Sequence, residues 1–282
     1  MLFASEDQKR KYLPDLSTGK KLGGWGLTES SSGSDAGSMK TTAVKKGSEW
    51  VLNGGKTFIT HGSVGSTFVV LARTDPSRPH GISAFILEKG MRGFSVGKKE
   101  DKLGMRASDT AALIFEDVQV PAGNLIGEEG EGFRQALQVL DGGRVGIAAL
   151  SVGLARGAMG ASIAYAKERH QFGRSIAEFQ GIQFRLADMA TEIEAARLLT
   201  RRAAFLKGQG ENITQAAAEA KYFASEVATR AANDAVQIHG GYGFIKEYPV
   251  EKFYRDVKLL TIGEGTSEVQ KMVIARSILN SA

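Results

Sequence analysis

At about residue 127 the chain changes texture, and no other feature constrains its fold as tightly. Upstream, from roughly residue 23, apolar residues come in short runs rich in Val, Ile, Phe and Thr, broken by Asn-Gly, Asp-Pro and glycine-rich stretches. Downstream, Ala-rich segments repeat their apolar residues every three or four positions. The join, Gly127-Glu128-Glu129-Gly130-Glu131-Gly132, is a glycine-acidic link. Strand and helix periods bury different faces, so the pattern predicts a β domain over 23–127 and a helical domain over 128–282. A chain of 282 residues is long enough to give each its own core.

Within the β half, Glu49–Thr60 reads as two short strands around Asn53-Gly54, the strongest short-range hairpin signal available. Segments 67–72 and 82–87 are further strands, separated by a turn carrying Asp75-Pro76 and Pro79, and 112–115 with 118–121 close the series. Short strands with turns between them argue for an antiparallel barrel or sandwich, not a parallel sheet. Before them, residues 5–22 read as the tail of a helical element that Pro14 ends. It brings few apolar partners of its own, so 1–22 reads as the remnant of a larger helical piece.

The helical half predicts at least four helices. The first runs from about 131 to 170 and is interrupted or tightly packed at Asp141-Gly142-Gly143. The second carries Phe179, Ile182, Leu186, Met189, Ile193 and Ala196 three and four apart, a bundle seam, with Ser175 and Glu178 at capping-box spacing. The third, about 213–238, lines its inner side with Ala217, Ala220, Ala224, Ala228 and Ala231. The fold class is therefore α+β: an antiparallel β-barrel or sandwich followed by a C-terminal four-helix bundle.

Several function classes drop out. With no cysteine, disulfides, thiolate metal sites and cysteine nucleophiles are excluded, and His61, His80, His170 and His239 lack metal-ligand spacing, so no metal is expected. The net charge of +5 and pI near 9.3 invite a nucleic-acid reading, but no basic run exceeds three residues, and an anionic small molecule suits the excess at least as well. No run of eighteen uninterrupted apolar residues occurs, and the start turns acidic too early for a secretory signal. The expectation is a cytoplasmic protein with neither membrane nor nucleic-acid partner.

Four patches carry chemistry. Gly26-Leu27-Thr28-Glu29 with Gly33-Ser34-Asp35-Ala36-Gly37 can present backbone and hydroxyl donors to a planar ligand. Arg169-His170-Gln171-Phe172-Gly173 sets a cation and an aromatic where a helix ends, and Gln237-Ile238-His239-Gly240-Gly241 lets a backbone approach a phosphate closely. In Gly263-Glu264-Gly265-Thr266-Ser267-Glu268, glycines clear the space around one carboxylate just before a predicted helix. An apolar pocket would raise the proton affinity of Glu264 and suit it as a general base, whereas a solvated helix-capping glutamate fits the same residues.

Together, and in this order, these patches resemble the acyl-CoA dehydrogenase family, as do Phe58-Ile59-Thr60, Leu103-Gly104-Met105-Arg106 and Phe115-Glu116-Asp117-Val118-Gln119-Val120-Pro121, over roughly residues 5–280. The resemblance implies an FAD enzyme. It would set Leu27, Thr28, Gly33, Ser34, Phe58, Ile59 and Thr60 against the isoalloxazine and ribityl chain. Arg169, Phe172, Gln180, Gln237, Gly240 and Gly241 would hold the pyrophosphate and adenosine, partly from a neighbouring subunit, and Thr266 and Glu268 would also contact FAD. Ser34, Asp141, Arg144 and Gly265 would border the acyl-CoA. Glu264 would remove the α-proton of the thioester while the β-hydride passes to the flavin, giving a trans-2-enoyl-CoA, with the thioester carbonyl polarised by the backbone N–H of Glu264 and a ribityl hydroxyl. An electron-transferring flavoprotein would reoxidise the flavin, and a homotetramer, a dimer of dimers, is expected.

Some branches carry the glutamate on the long helix instead, at the place of Gly143, which cannot serve. Gly263 stands where several members carry tyrosine, so the resemblance implies a wider pocket and a short, butyryl-like acyl chain, with branched short chains second. The family's N-terminal helical domain has no counterpart beyond the 1–22 helix, which predicts weakened FAD retention and low activity for this chain. A non-catalytic flavin- or CoA-binding scaffold and an acyl-CoA oxidase are the alternatives.

Overall fold

The computed structural model describes residues 2–280, so Met1 and positions 281 and 282 of the expected domain bounds lie outside the described residues. The chain divides into two compact units, one holding residues up to Lys102 together with Arg106–Gln138, the other Leu103–Met105 and residues from Val139 onward.

The first unit opens with α1 (Glu6–Ser17), started by a capping box in which Ser5 and Gln8 bond each other's backbone N–H. Pro14 lies inside α1 and does not end it. Its missing N–H falls near the C-terminus, and the carbonyl of Pro14 still accepts from the N–H and hydroxyl of Thr18, closing the last turn. Gln8 then ties the helix to the sheet, its Nε2 donating to Gly123 O at 2.9 Å and Leu125 O at 2.7 Å.

The sheet has eight strands: β1 (Gly23–Gly26), β2 (Thr42–Lys46), β3 (Glu49–Thr60), β4 (Thr67–Arg73), β5 (Ile82–Glu88), β6 (Phe94–Lys99), β7 (Thr110–Pro121) and β8 (Leu125–Ile126). Pairing is antiparallel except where β1 and one residue of β2 run parallel to β4. The expected Asn-Gly hairpin is a bulge: β3 continues through Asn53-Gly54, and its register against β7 slips between Leu52 and Gly54. Asn53 is occupied across the strands, with its Nδ2 donating to Asp117 Oδ1 at 2.9 Å and its Oδ1 accepting from Asp117 N at 2.8 Å. The turn into β3 falls instead at Gly47 (φ 61°). Segments 112–115 and 118–121 likewise join as β7. Phe68, Phe85, Leu52, Leu87, Phe115 and Val118 fill the core.

The second unit contains most of α2 (Gly132–Glu168), with α3 (Gln180–Gly208), α4 (Thr214–His239), α5 (Val250–Val257) and α6 (Ser267–Asn280). The long helix runs unbroken through Asp141-Gly142-Gly143. By length and composition α2 could cross a bilayer, yet Ala148, Val152, Ala155 and Ala166 are buried in the bundle core with Met189, Ile193, Ala224 and Ala228. Ser175 caps a short turn at Ile176–Glu178, not α3, whose N-cap is Phe179.

Candidate functional site

Glu264 sits between a short turn, Lys258–Thr261, and α6. Its φ of 56° and the 91° of Gly265 put two successive residues in the left-handed region. For a glutamate that conformation costs about 1–2 kcal/mol, so the surroundings must hold it. Lys221 Nζ donates to Gly265 O at 2.7 Å, while Gln270 Nε2 donates to Glu264 O at 3.1 Å and to Gly265 O at 2.9 Å. Both clamping side chains are fully buried. Thr266 takes the capping task, its hydroxyl accepting from Val269 N at 3.3 Å.

The carboxylate turns towards α2. A Cβ at Gly143 would stand too close to Glu264 Oε2 for any real side chain, so this approach requires glycine there. Burial pushes the Glu264 carboxyl above the ordinary glutamate range; the charges of Arg144 and Lys221 pull it back but do not cancel the rise. Arg144, on the buried side of α2, pairs with Asp141 at 2.7 Å, and Asp141 Oδ2 accepts from Thr214 Oγ1 at 2.7 Å. Arg144 Nε has no hydrogen-bond partner among the described residues. Of the expected substrate residues, Gly265 adjoins Glu264, Arg144 acts on its charge and Asp141 is held by Arg144, whereas Ser34 is an exposed residue of the other unit.

A second feature of the helical unit is a cleft of about 490 Å³ at the C-terminus of α4. Arg169, Gly240 and Gly241 line it together with Tyr165, His239 and Tyr242. The Arg169 guanidinium lies over the Tyr242 ring at 5.4 Å, and His239 stacks on Tyr165 at 4.2 Å. A cation, aromatic faces and backbone freed of side chains suit a phosphate attached to a ring system. Phe172 (94 % exposed, φ 53°), Gln180 and Gln237 are solvent-facing residues outside the cleft lining, and Glu268 is exposed on α6 next to Thr266.

In the β unit, the Leu27–Glu29 segment meets β3. Thr57 N donates to Thr28 O at 2.9 Å, and Lys56 Nζ donates to Leu27 O at 3.1 Å and Glu29 Oε1 at 2.8 Å. Glu29 also accepts from Lys40 N at 2.6 Å and Thr41 N at 3.0 Å, which fastens the loop bearing Gly33 and Ser34. Phe58 (φ 57°) and Thr60 face outward and Ile59 inward, with Leu27 buried. Trp25 Nε1 is a buried donor with no partner among the described residues.

Trp25, Lys56, Lys221 and Gln270 went unread in the sequence. One signal was present for Lys221: it sits four residues after Ala217 and three before Ala224, in the register of the buried alanine stripe.

Comparison with known proteins adds a lineage. The family models "Acyl-CoA dehydrogenase, middle domain" and "Acyl-CoA dehydrogenase, C-terminal domain" match residues 24–118 and 130–279. A short-chain specific acyl-CoA dehydrogenase of Clostridium acetobutylicum is 53% identical over 97% of this chain and 73% of its own length. The butyryl-CoA dehydrogenase structure of Megasphaera elsdenii superposes with a TM-score of 0.97 at 50% identity, over 99% of this chain and 73% of that one. A chain from work on the electron transferring flavoprotein of Acidaminococcus fermentans does so with 0.97 at 54%, over 99% and 73%.

Proposed function

Since the chain belongs to the acyl-CoA dehydrogenase family, flavin-dependent oxidoreductases of CH–CH groups, we propose that it desaturates a short-chain acyl-CoA to the trans-2-enoyl-CoA with Glu264 as the base. The observation that carries this reading is the inward-turned Glu264, raised in proton affinity by burial and seated on the bare backbone of Gly143. A carboxylate held short of hydrogen bonds accepts a proton more readily than a solvated one. The charges of Arg144 and Lys221 favour its ionised form against the burial, and the glycines on either side leave room for a thioester to approach.

Residues of each unit fit a part of FAD by their own chemistry: in the β unit the orphaned Trp25 Nε1 offers a donor and the exposed Phe58 an aromatic face, and in the helical unit the Arg169 cleft suits phosphates and adenosine. When bound, the flavin would supply the hydride acceptor for the β-carbon. The remaining assigned contacts, the preference for a butyryl-like chain, an electron-transferring flavoprotein as the redox partner, the homotetramer and the 1–22, 23–127 and 128–282 division belong to the same proposal. Dye reduction with acyl-CoAs of increasing chain length tests it. Greatest turnover at short chains, abolished in Glu264→Gln with the flavin spectrum kept, supports the reading. Flavin retention without turnover would make the chain a scaffold, and peroxide release would make it an oxidase.

A further inference from the structure

Lys221 is fully buried in the alanine stripe of α4, where an apolar side chain would pack at less desolvation cost. Among the described residues its one hydrogen bond goes to Gly265 O at 2.7 Å, not to a carboxylate. That carbonyl belongs to the second of two left-handed residues, and it is shared with Gln270 Nε2 at 2.9 Å. We propose that Lys221 is a positioning residue for Glu264: its ammonium anchors the strained turn through Gly265 O and, with Arg144, sets positive charge beside the carboxylate. This inference rests on the reading of Glu264 as the base.

Two features separate this role from plain packing. Gln270 alone could hold the two carbonyls, since its amide reaches both, but it brings no charge. The ammonium does bring one, into a site already holding a cation. Facing Lys221 are Arg144 from α2, Glu226 on its own helix, Glu264 in the turn and Glu268 on α6. Burial, then Arg144, push its own affinity for the proton down, to about 8, which still leaves it mostly protonated at neutral pH. A charged group kept at that cost beside a carboxylate favours the ionised form of its neighbour.

The test uses the full chain, ¹³C-labelled in its glutamate side chains, with the Glu264 resonance identified by its loss in Glu264→Gln. Lys221→Met removes donor and charge, and Lys221→Gln keeps a donor without charge. Both variants should titrate Glu264 at higher pH than the parent. In the flavin-loaded protein, kcat at pH 7 should fall about tenfold with KM within about twofold, and the deficit should shrink as the pH rises. An unchanged Glu264 titration in both variants, with only a lowered melting temperature, overturns the proposal. If Lys221→Met does not fold, Lys221→Gln decides the charge effect. If the parent turns over no acyl-CoA, the base reading fails on its own, and the titration still decides what Lys221 does to the carboxylate.

Discussion

Each unit buries a lysine near a glutamate, and the two pairs come out with opposite protonation biases. In the β unit, Lys56 and Glu29 meet directly at 2.8 Å. Burial pushes Glu29 upward, but hydrogen bonds from Lys56, Thr41 and Lys40 outweigh it and hold the carboxyl below the usual glutamate range. In the helical unit, Lys221 spends its hydrogen bond on a backbone carbonyl, so Glu264 receives charge without that bond and burial wins. Both lysines are pushed down to about 8, burial being the first cause in each. Nearness of opposite charge is therefore not what sets the outcome; hydrogen bonds to the charged form are. A fully bonded pair fastens a loop, while a carboxylate left short of donors keeps an appetite for protons.

The largest consequence lies at Glu264. Glu264→Gln keeps the shape and removes the base, so kcat should fall by about 10³-fold or more with the fold retained, read by dye reduction and circular dichroism. Turnover within a few fold of the parent would erase the functional half of the contrast. Next comes the fastener. Lys56→Met leaves Glu29 buried without its counter-charge and should cost about 3–5 kcal/mol in denaturant unfolding. Adding Glu29→Gln should recover much of that loss, because no uncompensated charge then remains. If the single variant is as stable as the parent, the pair is not the fastener described here.

How much of this contrast could be read beforehand follows from what sequence encodes locally. The switch from strand to helix texture, the alanine stripe of α4 and the Met189–Ile193–Ala196 seam were legible because they are periodic. Glu264 stood out as a candidate because glycines bracket it. The Asn53-Gly54 hairpin was misread because the competing interaction, the Asn53–Asp117 pairing, is 64 residues away. Pro14 misled because its penalty falls where a helix has few bonds left to lose. Lys56 carries no local mark of burial, and the alanine register of Lys221 marks its burial but not its partner; one bonds across 27 residues and the other across 44. Partners that distant in sequence fix whether a charge is satisfied, and no spacing rule reports them.

A smaller effect isolates geometry from charge. Gly143→Ala adds only a methyl group, yet that group would displace the Glu264 carboxylate from its seat. A misplacement near 1 Å should lower kcat by about 10²-fold while the helix, which alanine favours, stays intact. Gly146→Ala, on the same helix, is the control: its Cβ would meet nothing within 4 Å, and turnover should stay within a few fold. Equal losses at both positions would mean that the seat at 143 does not matter.

The smallest effect is the pH dependence, and its sign is the sharpest statement of the difference. Glu264 has a raised folded-state value, so its contribution to stability is present below the unfolded value near 4.5 and is lost as the pH climbs through the folded value. Glu29 has a lowered one, so its contribution is present above about 4.5 and is lost as the pH drops through the folded value. In thermal melts from pH 3 to 8, Glu264→Gln should therefore melt higher than the parent at pH 7, by on the order of a few degrees, and converge on it below about pH 4.5. Glu29→Gln should melt lower at pH 7 and converge only in stronger acid. Curves that move in the same direction for both variants would show that the two glutamates share one environment, and the bonded and unbonded pairs would no longer be distinguishable by their chemistry.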